Sequence, residues 1–248
     1  KGDIESESKA ALLGGVTSFI DMPNTTPQTT DMEAVRDKIK RAGGRAWGNY
    51  GFHIGATNTN LGMINEYLSG GLGSEFGGIK VFMGSSTGNM LVSDEEVLRK
   101  FFMIKDKPIL IHSEDEAVIK ANLMAAEAEF GDDIPFSEHP RIRSRKACIR
   151  STAKALEMAI EYGTRLHVLH VSTAEEVEMI RAAKLHNPRI TAETSANYLW
   201  FCDEDYDRLK GRVKCNPAVK GAADREALRK GLAEGVIDTI GSDHAPHL

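Results

Sequence analysis

Seven short apolar runs, each followed by a stretch of helical character, recur along the chain and constrain its fold more than any other feature. They lie at residues 16–23, 46–56, 77–83, 108–114, 165–172, 189–197 and 236–244. Alternation of strands and helices is typical of parallel strands joined by right-handed crossovers. The run Ile109–Ile111 is apolar on both faces, as buried parallel strands are. The chain is therefore predicted to form an α/β structure around parallel strands.

Two architectures fit this alternation, a doubly wound sheet and a (β/α)8 barrel of the TIM type. No GxGxxG follows the first run and no GxxxxGK[ST] occurs anywhere, so nothing supports a nucleotide-binding doubly wound sheet. Polar and titratable residues instead follow several different strands, at the end where barrels keep their active sites. We predict one catalytic barrel domain over residues 1–248, with the first of its eight strands and its C-terminal end missing from the chain.

Composition and charge limit the kinds of molecule that this chain is expected to bind. The formal net charge of −5 argues against a nucleic-acid or membrane-surface binder. No apolar run reaches the roughly 20 residues that a membrane span needs. Cys148, Cys202 and Cys215 are widely spaced and form no CxxC pair, which favours a reducing compartment. We expect a cytoplasmic enzyme that acts on a small molecule.

Three strand ends carry residues that bind metals. His112 ends one predicted strand, His170 ends another, and Asp243 ends the last. Two histidines and an aspartate form the ligand set of a hydrolytic zinc site, and a barrel would bring these side chains together. His167 lies three residues before His170, so strand alternation points it to the opposite face. Three further histidines are interpreted as loop or surface residues: His53, His139 and His186.

Lys80 lies inside an apolar strand, between Ile79 and Val81. Burial of an ammonium group is costly and lowers the pKa of the lysine toward the neutral amine. One interpretation is a lysine that snorkels outward or pairs with an acid. The other is chemical: a neutral amine adds carbon dioxide to form a carbamate, which can bridge two metal ions.

Several motifs occur in an order that resembles the dihydroorotases. They are "GGVTSFIDMPNT", "GGIKVFMGSSTGNM", "ILIHSEDE", "LHVLHVST", "KCNPAVK" and "GSDHAPH". Dihydroorotases are metal-dependent (β/α)8 barrels of the amidohydrolase superfamily, and the resemblance covers essentially the whole chain. It implies two zinc ions bridged by carbamylated Lys80. His112 and His170 would hold the second zinc, while Asp243 would hold the first and move the proton. Three residues would bind the substrate: Asn24, Asn216 and His247.

The resemblance implies reversible hydrolysis of dihydroorotate to N-carbamoyl-L-aspartate, a step of pyrimidine biosynthesis. It also implies a homo-oligomer, with aspartate carbamoyltransferase as a candidate partner. One alternative is a related cyclic amidase, an allantoinase or hydantoinase. A second is a non-catalytic dihydroorotase-like scaffold, although the presence of Lys80, His112, His170 and Asp243 argues against it.

The sequence departs from the family pattern in three places. The His-x-His-x-Arg motif of the family's first strand is expected upstream of Lys1, so the first zinc would be bound poorly by this chain alone. The family also continues past "DHAPH" and adds a flanking β-sandwich domain, absent here. Asn197 and Tyr198 stand where relatives often carry a histidine pair, and they receive no role.

Overall fold

The structure is a computed structural model that describes residues 2–84 and 89–245. Within these residues it has parallel strands alternating with helices, which confirms the predicted α/β class. No helix in this part of the chain is both long and apolar enough to cross a membrane. The strands are β1 (Ser18–Asp21), β2 (Asn49–Phe52), β3 (Ile54–Gly55), β4 (Ile79–Phe82), β5 (Ile109–His112), β6 (Leu166–Val168), β7 (Thr191–Ser195) and β8 (Thr239–Gly241).

The α-helices lie mainly between successive strands. They are α1 (Ile4–Leu13), α2 (Met32–Ala42), α3 (Leu61–Ser69), α4 (Glu95–Phe102), α5 (Glu116–Phe130), α6 (His139–Ile142), α7 (Arg145–Tyr162), α8 (Ala174–His186), α9 (Ala196–Trp200), α10 (Asp205–Leu209) and α11 (Ala222–Ala233). Short 3₁₀ helices span Leu72–Glu75, Phe136–Glu138 and Lys210–Val213.

The chain divides into two compact units. Unit 1 comprises Lys1–Val81, Ser86–Ile109 and His244–Leu248, and unit 2 comprises Phe82–Ser85 and Leu110–Asp243. Assignment of residues 1–248 to a single catalytic domain stays a prediction.

In unit 1, one predicted strand is in fact two. The run 46–56 breaks at His53 into β2 and β3, because its pairing partner changes there. β2 pairs in parallel with β1, and the backbone N–H of His53 still donates to the carbonyl of Asp21 at 3.0 Å. The next amide, that of Ile54, donates to Gly78 at 3.1 Å, and β3 then pairs in parallel with β4. Apolar residues, Phe52 and Ile54, stand on both sides of His53, and a pattern of this kind does not say which neighbour a strand pairs with.

The helices of unit 1 cover these strands with apolar side chains. Helix α2 begins after Asp31, whose side chain caps the first turn by accepting from the amide of Ala34. Val35 of α2 is fully buried, as are Ile64 of α3 and Phe101 of α4. Burial of each such side chain contributes about 1.5–3 kcal/mol.

In unit 2, strands β5 to β8 lie side by side in sequence order. The pairs β6–β7 and β7–β8 are parallel, with His167 opposite Thr191 and Ser195 opposite Gly241. The amide of Leu169 donates to the carbonyl of Ile111 at 3.3 Å, which joins β6 to β5. Because parallel strands end at the same edge of a sheet, the residues that follow β5 to β8 share one edge.

Candidate functional site

Two histidines meet at the carboxyl edge of the strands of unit 2. His112 is the last residue of β5, as predicted, and His170 lies two residues beyond β6. Nδ1 of His112 lies 3.1 Å from Nε2 of His170, and the rings meet edge to face. The two side chains are buried, with residue exposures of 5% and 6%. The aromatic ring of Phe82 stacks beside His112 at a centroid distance of 5.8 Å.

The spacing of these two nitrogens fits a shared metal ion. Two imidazole nitrogens on one tetrahedral zinc, each at 2.0–2.1 Å, are roughly 3.3 Å apart. The 3.1 Å separation of His112 Nδ1 and His170 Nε2 is close to that span. Among residues 2–84 and 89–245, however, no three His, Cys, Asp or Glu side chains form a group that could hold a metal ion.

A buried ion pair lies behind the histidines, and the sequence interpretation missed it. Oε2 of Glu114 lies 2.7 Å from Nε2 of His112, and the Arg143 guanidinium donates to the same oxygen. Glu114 is fully buried and Arg143 is nearly so. Burial by itself raises the pKa of Glu114, but the hydrogen bond from His112 and the charge of Arg143 outweigh it and lower the pKa to about 2.

The backbone departs from the strand conformation at two predicted site residues. His170 and Asp243 were predicted to end strands, but β6 ends at Val168 and β8 at Gly241. Both residues have positive φ angles, +39° at His170 and +46° at Asp243. A left-handed residue cannot continue a strand ladder, which is why the strands stop short of both. The directions of the His170 and Asp243 side chains therefore cannot be predicted from the alternation of side chains along a strand.

Asp243 lies within electrostatic reach of the loop that carries Asn216. The phenol of Tyr198 donates to the carbonyl of Pro217 at 2.7 Å. Burial, the neighbouring Cys215 and then the Asp243 carboxylate raise the pKa of Tyr198 well above its usual value. Burial raises the pKa of the Cys215 thiol to about 11, with a further contribution from Asp243. Asp243 and Asn216 are both exposed.

The histidines interpreted as loop or surface residues do not all lie there. His186 is exposed at the end of α8, as predicted, but His53 and His139 are buried. Nε2 of His139 lies 2.9 Å from the carbonyl oxygen of Cys215, and burial lowers the pKa of this imidazole. The interpretation was wrong for His139, which begins α6 and whose buried ring has a carbonyl partner. His53 lies between β2 and β3, so it is a loop residue, although a buried one. His167 faces β7, with Nδ1 2.8 Å from Oγ1 of Thr191.

A second buried glutamate in unit 2 has no charged partner at hydrogen-bond distance among the described residues. Glu176 accepts from the hydroxyls of Thr152 and Thr173 at 2.8 and 2.9 Å, and from the amide of Thr173 at 3.1 Å. It closes a capping box at the start of α8 with Thr173. Burial raises its pKa. Thr152 also bonds Ser113, the residue after His112, at 2.8 Å.

The remaining predicted site residues belong to unit 1 or lie outside the described part of the chain. Lys80 is buried in β4 with an exposure of 3%, and its carbonyl accepts from the amide of Ala56. It pairs with Gly55 in the β3–β4 register. Asn24 is exposed in the loop after β1. His247 falls outside the described residues, and the roles of all three stay predictions.

Comparison with known proteins identifies the family. A family model described as "Amidohydrolase family" matches residues 1–248. The dihydroorotase of Methanosarcina acetivorans is 34% identical over 249 residues, with 97% of this chain and 52% of the relative aligned. The L-hydantoinase of Paenarthrobacter aurescens is 33% identical over 252 residues, with 99% and 53% aligned. The chain thus spans about half the length of the curated relatives it matches.

A solved structure agrees with the sequence comparisons. The L-hydantoinase (dihydropyrimidinase) from Arthrobacter aurescens superposes with a TM-score of 0.90 at 30% identity, covering 98% of this chain and 53% of that one. The predicted TIM-type (β/α) barrel fold is thereby confirmed. Taken with the family match over its whole length, this places the chain in the amidohydrolase family.

Proposed function

We propose that the protein containing this chain hydrolyses cyclic amides and that its substrate is dihydroorotate, which opens to N-carbamoyl-L-aspartate. The observation that carries the proposal is the buried pair His112 and His170, whose facing nitrogens are 3.1 Å apart. Relatives named dihydroorotase and L-hydantoinase support the reaction class, since both open cyclic amides.

The chain supplies residues that could hold two zinc ions. His112 and His170 would bind one ion together, and Lys80, as a carbamate, would bridge the two. The amine of Lys80 would attack carbon dioxide and lose a proton, which turns a buried cation into an anionic ligand. Asp243 would bind the other ion. When bound, such ions lower the pKa of a water molecule and polarise a carbonyl group.

Asp243 would move the proton during ring opening. Hydrolysis forms a C–O bond from water and breaks the ring C–N bond, so one proton must pass from the water to the departing nitrogen. The exposed carboxylate of Asp243 can accept that proton and deliver it as a general acid. Asn24, Asn216 and His247 would orient the substrate, since amide and imidazole groups can bond both the ring and its carboxylate.

Substitution of Asp243 by Ala tests the proton-transfer role. We expect kcat to fall about 10²- to 10⁴-fold, the usual contribution of a general acid–base group. Asp207→Ala, which removes an exposed carboxylate from α10, should leave kcat unchanged. Near wild-type turnover by Asp243→Ala would contradict the assignment.

The dihydroorotate assignment competes with a hydantoinase assignment, which the TM-score of 0.90 to an L-hydantoinase favours. Values of kcat/KM for dihydroorotate, hydantoin, dihydrouracil and allantoin, measured on one preparation, separate the two. We expect the largest value for dihydroorotate. A larger value for hydantoin or dihydrouracil would overturn the substrate but keep the cyclic-amidase class, and no turnover of any would overturn both.

A further inference from the structure

The rotation of the His112 ring is fixed by a carboxylate on its far side. One ring nitrogen, Nε2, lies 2.7 Å from Oε2 of Glu114, while the other, Nδ1, faces His170 at 3.1 Å. Glu114 is two residues beyond His112 in the chain, so the same turn of backbone that ends β5 also delivers this carboxylate. The arrangement is local and wholly buried.

The chemistry of the carboxylate decides which nitrogen of His112 carries the proton. An ionised carboxylate can only accept hydrogen bonds, so Nε2 must donate to Glu114. In the neutral imidazole the remaining nitrogen then keeps its lone pair. That nitrogen is Nδ1, the atom that faces Nε2 of His170. A carboxylate behind a ligating histidine fixes the tautomer and orientation of the ring in many metal sites.

Arg143 fixes the carboxylate in turn. Its guanidinium donates to Oε2 of Glu114, the oxygen that also contacts His112, and its exposure is only 8%. The other oxygen, Oε1, is buried and has no hydrogen-bond partner among the described residues. The hydrogen bonds of His112 and Arg143 to Glu114 therefore converge on the same oxygen, Oε2.

The backbone at and just after Glu114 is closely packed. A side chain on Gly84 would collide with the carbonyl oxygen of Glu114. The next amide, that of Asp115, donates to Ala147 of α7 at 3.0 Å, and the Asp115 side chain caps α5. These contacts hold the backbone from which the Glu114 side chain extends.

We propose that Glu114 and Arg143 are positioning residues that hold His112 with its proton on Nε2, so that Nδ1 and His170 form a pre-oriented two-imidazole site for a divalent transition-metal ion. This inference rests on the metal-dependent class proposed above, not on the identity of the substrate. Glu114 and Arg143 act on the metal only through His112.

Zinc affinity of isosteric variants tests the proposal. Zn²⁺ is titrated into metal-free protein against a chromophoric chelator. We expect Glu114→Leu to bind 10- to 100-fold more weakly than wild type, the usual effect of losing such a partner. Glu114→Gln should lose less, because its amide oxygen can still accept from Nε2. Glu176→Gln, the same change at a second buried glutamate, should keep wild-type affinity.

The tautomer of His112 supplies a readout that needs no variant. Long-range ¹H–¹⁵N NMR spectra of the metal-free protein distinguish Nε2–H from Nδ1–H imidazoles. We expect Nε2–H at His112, assigned with a His112→Gln sample. An Nδ1–H ring at His112, or undiminished zinc affinity in folded Glu114→Leu, would overturn the proposal. Zinc binding that depends on Glu114 in a protein that opens no cyclic amide would instead overturn only the proposed function.

Discussion

Two buried glutamates of unit 2 have pKa values that move in opposite directions. The pKa of Glu114 is lowered to about 2 in spite of its burial, because His112 and Arg143 favour the carboxylate. The pKa of Glu176 is raised, because the effect of burial outweighs that of the hydrogen bonds it accepts from Thr152, Thr173 and Ser172. Both residues have their oxygens in a protein interior, so depth of burial cannot explain the difference. The charge of the partner explains it.

The comparison separates two uses of a carboxylate. Glu176 bonds neutral donors and joins α8 to the residues before it, which is a structural task that the protonated acid also performs. Glu114 bonds a cation and an imidazole, and it serves that imidazole only as an ionised acceptor. A buried acid paired with an arginine beside a histidine is therefore the stronger indication of a functional site.

The largest effect is expected when the charged glutamate loses its cation. Arg143→Met should lower the free energy of unfolding by about 3–5 kcal/mol, because it leaves the Glu114 carboxylate buried without its guanidinium partner. Urea denaturation followed by circular dichroism measures the change. The double variant Arg143→Met/Glu114→Leu should recover a large part of it, since no buried charge is then left. A loss below about 1 kcal/mol in the single variant would contradict a buried ion pair.

Removal of the second glutamate should cost less. Glu176→Ala leaves the hydroxyls of Thr152 and Thr173 without their acceptor and should lower the free energy of unfolding by about 2–3 kcal/mol. Glu178→Ala, on the exposed face of the same helix, is the control and should change little. Equal losses in both variants would show that Glu176 acts only through helix propensity.

The dependence of stability on pH should reveal the raised pKa of Glu176. A carboxyl whose folded pKa lies above its ordinary 4.5 contributes stability below pH 4.5 and loses it as the pH rises through the folded value. The free energy of unfolding of wild type, measured relative to Glu176→Gln, should therefore decrease as the pH rises from 4.5. An increase over that interval would mean that the folded protein favours the carboxylate.

The smallest effect is expected at an exposed pair of the same chemistry. Arg36 of α2 bonds both oxygens of Glu75 at 2.8 Å, but its side chain is 56% exposed. Glu75→Gln should leave the urea midpoint within experimental error, because water and salt screen such pairs. A clear drop in the midpoint would show that bidentate geometry matters here as much as burial.

Much of the fold could be predicted from the apolar runs. A stretch such as Ile109–Ile111 is apolar on both faces and flanked by polar residues, and it forms β5 as expected. The break at His53 could not be predicted, because the period of a strand does not say which neighbour it pairs with. The early ends of β6 and β8 were also hidden, since the sequence does not display the sign of φ at His170 and Asp243.

Some residues of the candidate site could likewise be predicted from the sequence, and others could not. His112 was found because a titratable residue at the end of an apolar strand is visible in sequence. Glu114 had a signal, since residues two apart in extended chain share a face, but "HSEDE" also reads as an ordinary polar loop. Arg143 had none: it is 29 residues from Glu114, in a segment of many charges, and only the fold brings the two together.

The positive φ angle of His170 restricts which amino acids can occupy this position. Positive φ is open to glycine and, among residues with a Cβ, is several-fold enriched in Asn, Asp and His, while β-branched residues are strongly disfavoured. At φ +39° the conformation and the metal chemistry select overlapping residue types. Substitution of His170 by Asn would thus separate the backbone requirement from the metal chemistry, because Asn tolerates the positive φ angle but lacks the imidazole. The residue type at this position can therefore be changed without redesign of the surrounding loop.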